Sequence, residues 1–324
     1  MPEYKELSKT ELCERLLSLE NPIIIMHRRP DGDAIGSASA LSVLLKMLGK
    51  DAPIISCDKI PERLKFIVDY TDTTVKASLD GYTPITIDVA SPDQLGSFKE
   101  RANDIRLMID HHIIGERFAD SYIIPEASSA AEVLYDAVVE FEKAGKISLT
   151  RELAYPLYAA ISSDTGSFRY SNTSKRTHEI AAALVATGID TADINHRLFM
   201  SKSKNTILAE GFASVNMKTD LDGKIAYTAL TRSDMQRLGL CDEDTESIID
   251  VVRSLSGVEV AFVVKELSDG SFRASLRSTG LDVASICHTF GGGGHTRAAG
   301  CTPEAKTIDE AIALLLERIR RAFV

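Results

Sequence analysis

Three short apolar runs in this chain each end directly in a side chain that can bind a metal ion. His27, Asp88 and Asp110 follow these runs. The runs alternate with segments of helical periodicity, which is the pattern of a parallel sheet built from β-α-β units. The carboxyl ends of parallel strands lie at one edge of a sheet, where ligands bind. We therefore predict an α/β fold in which these three side chains converge.

Further carboxylates and imidazoles lie close to these strand ends or in a later loop. The candidate ligands are His27, Asp31, Asp33, Asp88, Asp110, His111, His112 and Asp164. A mixed cluster of this kind is typical of a metal site, and its excess of carboxylates favours Mn²⁺ over Zn²⁺. If such a cluster held two cations, shared carboxylate oxygens would offset the repulsion between them, and a water between them would become a nucleophile near neutral pH.

Several candidates also have a purely structural interpretation. Asp31 or Asp33 could cap the helix that follows, although capping and metal binding can coexist. Asp88 and Asp164 could be ordinary turn residues. The two adjacent histidines can both reach the site only if the strand has ended, because neighbouring side chains on a strand point to opposite faces.

The sequence pattern changes after about residue 190, where helical segments and two hairpin patterns replace the β-α-β rhythm. We expect a larger parallel-sheet domain, a helical linker and a smaller mixed α/β domain at residues 1–190, 191–212 and 213–324. The smaller domain contains four consecutive glycines, Gly291 to Gly294, followed by His295. Such a run is conformationally costly and typical of backbone amides that approach an anion. A flexible linker is the alternative.

The net charge of −10 argues against a protein that binds long duplex nucleic acid. Neutralisation of phosphates supplies most of the affinity in such proteins, which usually carry a basic surface. A short anionic substrate fits better. No apolar run approaches the roughly 18 residues of a membrane span, and the N-terminus lacks a signal-peptide pattern. The five cysteines show no paired spacing, so a cytoplasmic protein is expected.

The motifs resemble, in order and spacing, those of the DHH/DHHA1 phosphoesterases, from about residue 21 to residue 300. The resemblance implies two Mn²⁺ ions bridged by Asp88. The ligands of the first ion would be His27, Asp31 and Asp88. The ligands of the second ion would be Asp33, Asp88, His111 and Asp164.

The resemblance also implies roles for other residues. Asp110 would support the metal site, and His112 and Arg169 would stabilise charge on the phosphate. Arg169 could equally be a salt-bridged structural residue. The implied substrate-binding residues are Arg277, Gly292, Gly293, Gly294 and His295. One departure from the family pattern is Gln94, near which many members carry a basic residue.

The stand-alone members of this family are closest in layout, and they are oligoribonucleases that also act on 3′-phosphoadenosine 5′-phosphate (pAp). The expected function is therefore manganese-dependent hydrolysis of very short RNA to mononucleotides and dephosphorylation of pAp. The nearest alternative is hydrolysis of cyclic dinucleotides or of the linear dinucleotide pApA. A non-catalytic nucleotide-binding protein is the alternative from another class. A homodimer is possible, and no membrane partner is expected.

Overall fold

The computed structural model describes residues 4–69, 71, 78–113 and 115–323. The chain divides into two compact units, Met1–Ser201 and Lys202–Val324. The domain boundaries predicted from the sequence, 1–190, 191–212 and 213–324, remain a proposal. None of the helices in the described ranges is long and apolar enough to cross a membrane.

The first unit contains a five-stranded parallel sheet with the strand order β2-β1-β3-β4-β5. Its strands are β1 Pro22–Ile25, β2 Ile54–Ile55, β3 Thr83–Ile87, β4 Leu107–Asp110 and β5 Ser121–Ile123. Its helices are α1 Lys9–Ser18, α2 Gly32–Met47, α3 Ala130–Lys143, α4 Arg151–Asp164, α5 Lys175–Val185 and α6 Thr191–Asn195. The described residues of this unit also form two 3₁₀ helices, Glu62–Val68 and Pro92–Asp104, and a π-helical turn, His196–Met200. The sequence predicts four of these strands but not the short β5.

Side chains of β1 enter two hydrophobic cores, one on each face of the sheet. Ile24 packs with residues of α2, α3 and α4, whereas Ile23 and Ile25 pack with Leu95 and Phe98 on the other face. Strands that are buried on both faces read as continuous apolar runs. This burial explains why the strand signal in the sequence is an unbroken run of isoleucine.

Helices α2 and α4 pack closely because glycines lie at their contact. A methyl group on Gly36 would lie 2.6 Å from the carbonyl oxygen of Pro156 and 2.8 Å from the Cβ of Ala160. A methyl group on Gly32 would lie 2.2 Å from the Oγ of Ser163. The close approach brings the C-terminal end of α4 beside the N-terminal end of α2, where two of the predicted ligands lie.

The second unit is a mixed sheet with the order β10-β11-β9-β8-β7-β6. Its strands are β6 Lys218–Asp220, β7 Ile225–Leu230, β8 Val260–Glu266, β9 Phe272–Ser278, β10 Gly293–His295 and β11 Ala298–Cys301. Its helices are α7 Lys204–Val215, α8 Arg232–Leu238, α9 Ile248–Arg253, α10 Val283–His288 and α11 Ile308–Ala322, with a short 3₁₀ helix at Glu243–Thr245. Only β7 and β8 pair in parallel. The fold is therefore α/β, with a parallel-sheet unit followed by a smaller mixed unit, as the sequence predicts.

Candidate metal centre

The loops after β1, β3 and β4 and the end of α4 bring the predicted ligands of the first unit together. They form three overlapping groups, in each of which the potential ligand atoms lie within 4.8 Å of one another. The groups are His27–Asp31–Asp88, Asp33–His111–Asp164 and Asp88–His111–His112. All six residues predicted as metal ligands belong to at least one group, and His112 joins them.

His27 follows β1, and a hydrogen bond holds its imidazole ring in one orientation. Its Nδ1 donates to the carbonyl oxygen of Arg28 at 2.8 Å, which leaves Nε2 toward the carboxylates. Nε2 lies 3.5 Å from Asp88 Oδ2 and 3.9 Å from Asp31 Oδ1. Asp31 is also the N-cap of α2, because its Oδ1 accepts from the backbone N–H of Asp33 at 3.0 Å. Helix capping and proximity to the candidate site therefore coexist at Asp31.

Asp88 lies at the centre of the cluster and has an unusual backbone. Its φ is +59°, in the left-handed region that residues other than glycine rarely adopt. Its Oδ1 is buried and accepts no hydrogen bond from the described residues, although His111 Nε2 and His112 Nδ1 each lie 3.6 Å away. A buried carboxylate oxygen without a donor is costly, and a divalent cation would satisfy it. The donor set of carboxylates and imidazoles therefore fits a divalent metal ion.

The segment Ala127–Ala131, at the N-terminal end of α3, orients two members of the second group. The carbonyl oxygen of Ala127 accepts from His111 Nδ1 at 3.2 Å, so that Nε2 lies 3.6 Å from Asp33 Oδ2. The backbone N–H of Ala130 donates to Asp33 Oδ2 at 2.7 Å. Helix N-termini stabilise negative charge, and here the stabilised charge belongs to a candidate ligand.

Asp110 orients the second histidine of the pair. Its Oδ1 accepts from the backbone N–H of His111 at 2.8 Å and from His112 Nδ1 at 2.7 Å. The strand β4 ends at Asp110, so the two imidazoles are not forced to opposite faces. The structure thus gives Asp110 a supporting contact with the ring of His112, whereas the ring of His111 is held by a backbone carbonyl.

The crowding of charges shifts the pKa of several groups in this cluster. Burial alone lowers the pKa of His27, but the nearby carboxylates of Asp31 and Asp88 outweigh it and raise that pKa to about 11. Burial raises the pKa of Asp164 to about 7. Burial likewise raises the pKa of Asp33. Burial opposes ionisation of Asp88 too, but His111 and His27 hold the pKa of Asp88 well below its usual range. The cluster therefore retains protons that a bound cation would displace.

Arg169 follows a tight left-handed turn after α4. Gly166, Ser167 and Phe168 have φ values of +56°, +59° and +62°. The Arg169 Nε donates to the carbonyl oxygen of Gly166 at 2.5 Å, and its guanidinium carbon lies 5.8 Å from the centre of the Phe199 ring. Among the described residues, Arg169 makes no salt bridge, and it is outside the three ligand groups. A catalytic role for Arg169 remains a proposal.

Gln94 has a structural role in the loops around the site. Its side-chain Oε1 accepts from the backbone N–H of Ala90 at 2.6 Å, and its carbonyl oxygen accepts from the N–H of Arg28 at 2.7 Å. These bonds tie the loop after β3 to the loop after β1. The residue that departs from the family pattern thus stabilises the backbone on which His27 and Asp88 lie.

The glycine run of the second unit is partly an edge strand and not only a loop. Gly293, Gly294 and His295 form β10, which pairs with β11. A methyl group on Gly292 would lie 2.2 Å from the carbonyl oxygen of Gly300, whereas one on Gly293 would have no described atom within 4 Å. The fold therefore requires glycine at position 292 but not at position 293.

Arg277 and His295 lie on the same face of this sheet. Both are paired in register with Ala298, Arg277 on β9 and His295 on β10. Residues directly opposite each other on neighbouring strands point to the same face, and Ala298 between them is small. The register therefore places two of the predicted substrate-binding side chains on one face of the sheet, with one strand between them.

The sequence interpretation missed the role of the Ala127–Ala131 segment. The only local signal is a helix N-cap pattern, since Ser129 accepts from the N–H of Glu132. Such a pattern predicts where α3 begins, but it does not show that backbone atoms of the segment contact His111 and Asp33.

Comparison with known proteins agrees with this architecture. The family model described as "DHH family, N-terminal domain" matches residues 21–161, and the model described as "DHHA1 domain" matches residues 222–321. The bifunctional oligoribonuclease and PAP phosphatase NrnA of Thermus thermophilus is 30% identical over 98% of this chain and 96% of its own length. The protein of the same name from Bacillus subtilis is 26% identical over 91% of this chain and 93% of its own length.

A solved structure shares the fold. The exopolyphosphatase-related protein of Bacteroides fragilis superposes with a TM-score of 0.87, at 24% identity, over 97% of this chain and 95% of that chain. The DHH model matches residues of the first unit, and the DHHA1 model matches residues of the second unit. The chain therefore belongs to the DHH family and carries a DHHA1 domain in its second unit.

Proposed function

We propose that this protein is a manganese-dependent phosphoesterase that hydrolyses very short RNA oligonucleotides to mononucleotides and dephosphorylates pAp. The observation that carries the proposal is the set of three ligand groups that share Asp88 and His111. The two NrnA relatives, which align over nearly the whole chain, support this choice of substrates.

The proposed metal ligands follow the observed groups. The group of His27, Asp31 and Asp88 would hold one ion, and the group of Asp33, His111 and Asp164, together with the shared Asp88, would hold the other. Bound divalent ions supply polarisation of the phosphoryl oxygens and lower the pKa of a nearby water. The orphaned Oδ1 of Asp88 supports its role as the shared ligand.

We propose that His112 stabilises the phosphate of the substrate by donating a proton or a hydrogen bond. Burial alone lowers the pKa of His112, but the carboxylate of Asp110 outweighs it and raises that pKa. A raised pKa favours the protonated imidazole, which would stabilise the negative charge that develops during phosphoryl transfer. Asp110 would act through this ring, because it holds Nδ1 at 2.7 Å. Arg169 is the second proposed donor.

The second unit is proposed to bind the nucleotide. Arg277 and His295 share one face of its sheet, on either side of Ala298. An arginine is suited to bidentate contacts with phosphate. Gly293, where the fold leaves open space, would allow the backbone to approach the substrate closely. The acidic total charge of −10 supports a substrate with few phosphates.

A substrate panel with Mn²⁺ tests the proposal. It contains pAp, pApA, cyclic di-AMP, pyrophosphate and oligoribonucleotides from two to twenty-four nucleotides. We expect cleavage of pAp and the highest activity at roughly two to five nucleotides, with a shallow dependence on salt. A twenty-four-nucleotide strand that is cleaved as well as a dinucleotide, with a steep salt dependence, would contradict the short-substrate proposal. Preference for cyclic di-AMP or pyrophosphate would replace it with another phosphoesterase function.

A matched pair of variants tests whether the ligand groups carry the activity. Asp88→Asn should abolish hydrolysis of every substrate in the panel. Asp136→Asn is the control, because Asp136 is also buried but binds Tyr122 and Arg176 outside the three groups. Loss of activity in both variants to the same extent would indicate a general effect of removing a buried carboxylate.

A further inference from the structure

The group Asp33–His111–Asp164 is organised by one short stretch of backbone. The carbonyl oxygen of Ala127 holds His111 Nδ1 at 3.2 Å, and the N–H of Ala130 holds Asp33 Oδ2 at 2.7 Å. Two of the three side chains are therefore fixed to the segment Ala127–Ala131. The third, Asp164, is the last residue of α4, which packs on α2 and reaches this segment through a separate side chain.

Asn172 makes that connection. Its Nδ2 donates to the carbonyl oxygen of Ser128 at 2.9 Å and to the carbonyl oxygen of Asp164 at 3.1 Å. The carbonyl groups in the last turn of a helix have no partner within the helix. One amide thus binds the end of α4 and, at the same time, the segment that holds His111 and Asp33.

The Ser128 end of this connection is itself firmly held. The carboxylate of Glu132 is buried and accepts from the N–H of Ser128 at 3.2 Å and from its Oγ at 2.6 Å. Thr177 Oγ1 donates to the same carboxylate oxygen at 2.9 Å. With Ser128 fixed in this way, the bond from Asn172 acts mainly on Asp164.

We propose that Asn172 is a positioning residue for the metal site of Asp33, His111 and Asp164, which shares Asp88 with the other site. The inference rests on the proposed function, since it assigns a role in holding one of two ions. Metal–ligand distances normally lie within about 0.2 Å of their standard values, and Asp164 Oδ2 lies 3.8 Å from His111 Nε2. Loss of the Asn172 amide would free the end of α4 and weaken this site. The site of His27, Asp31 and Asp88 lacks residues of α4 and would keep its affinity.

The test is a titration of the metal-free, full-length protein with Mn²⁺, followed by calorimetry and electron paramagnetic resonance. We expect Asn172→Ala to weaken one of two bound equivalents by about ten- to a hundredfold, the range found for residues that orient metal ligands. The other equivalent should bind with little change, because its site contains no residue of α4. The resonance signal of an exchange-coupled manganese pair should give way to that of single ions.

The matched control is Asn195→Ala. Asn195 also bonds to α4, because its Oδ1 accepts from Ser162 Oγ at 2.5 Å and its Nδ2 donates to Tyr158 at 3.3 Å. It belongs to none of the three ligand groups in the described ranges. Both equivalents should therefore bind to Asn195→Ala as they do to the wild-type protein.

A second variant keeps the inference testable if Asn172→Ala does not fold. Asn172→Asp keeps the size of the side chain but cannot donate to the two carbonyl oxygens, so we expect the same selective weakening. The inference is overturned if Asn172→Ala or Asn172→Asp titrates like the wild-type protein. It is also overturned if both equivalents weaken together in the Asn172 and Asn195 variants, with an equal fall in melting temperature. A wild-type protein that binds no Mn²⁺ would instead refute the proposed function itself.

Discussion

Binding of Mn²⁺ to this protein should release protons, because the ligands of the candidate centre hold protons that a metal ion must replace. The clearest case is His27, whose pKa the carboxylates of Asp31 and Asp88 raise to about 11 against the opposing effect of burial. At pH 7 the imidazole is therefore protonated. A metal ion binds only the neutral ring.

The size of the effect follows from the distance between this pKa and the working pH. The four pH units between the pKa of His27 and pH 7 correspond to roughly 5.5 kcal/mol for removing its proton, at about 1.4 kcal/mol per unit. That cost falls as the pH rises, so the apparent affinity for Mn²⁺ should increase by about tenfold per pH unit for this proton alone. Asp164, with a pKa of about 7, adds a further proton below neutral pH, where the dependence should steepen.

Calorimetric titration between pH 6 and pH 9, in buffers of different ionisation enthalpy, measures the number of protons released. His27→Gln should release about one proton fewer than the wild-type protein, because its amide carries none at these pH values. His178→Gln is the control, since His178 stacks on Phe168 away from the ligand groups. A wild-type protein that releases no proton at pH 7, or a His27→Gln protein that releases as many, would refute the reasoning.

Three further predictions concern the cluster and the glycines. Asp88→Asn should lower hydrolysis by at least about a thousandfold, because several kcal/mol of transition-state stabilisation depend on bridged metals, while its circular dichroism spectrum stays unchanged. Gly36→Ala should lower the free energy of unfolding by about 1–3 kcal/mol through overpacking of α2 on α4, measured by denaturant titration. Gly211→Ala, in a helix with open space around it, should not be destabilising. Gly293→Ala should fold normally but raise the KM for dinucleotides, whereas Gly292→Ala should be unstable.

The positions of the main candidate ligands could be predicted because they depend on local sequence and on one topological rule. His27, Asp88 and Asp110 each follow an apolar run that becomes a parallel strand. The carboxyl ends of such strands meet at one edge, so these residues had to approach each other. The convergence of Asp164 depends on the close packing of α2 and α4, which the glycines at positions 32 and 36 indicate only after the helix pair is known.

Contacts that backbone atoms of distant segments make with the candidate ligands could not be predicted from the sequence. The carbonyl oxygen of Ala127 and the N–H of Ala130 contact His111 and Asp33, yet alanine side chains carry no sign of such contacts. The contacts of the glycine run were also only partly predictable from the sequence. The sequence indicates a close approach of backbone, but the partner of Gly292 proves to be β11 of the same sheet. Long-range backbone contacts of this kind leave no periodicity in the sequence.

The glycine-rich strand β10 also has a consequence for self-association. As the outermost strand of its sheet, it presents a backbone edge that another chain could extend by strand pairing, which is a common route to aggregation. β10 has only three residues, two of them glycine, and the opposite edge strand β6 is equally short. Short edge strands of low β-propensity pair weakly with other chains. The edge strand that carries His295 therefore offers another chain only a short template for pairing.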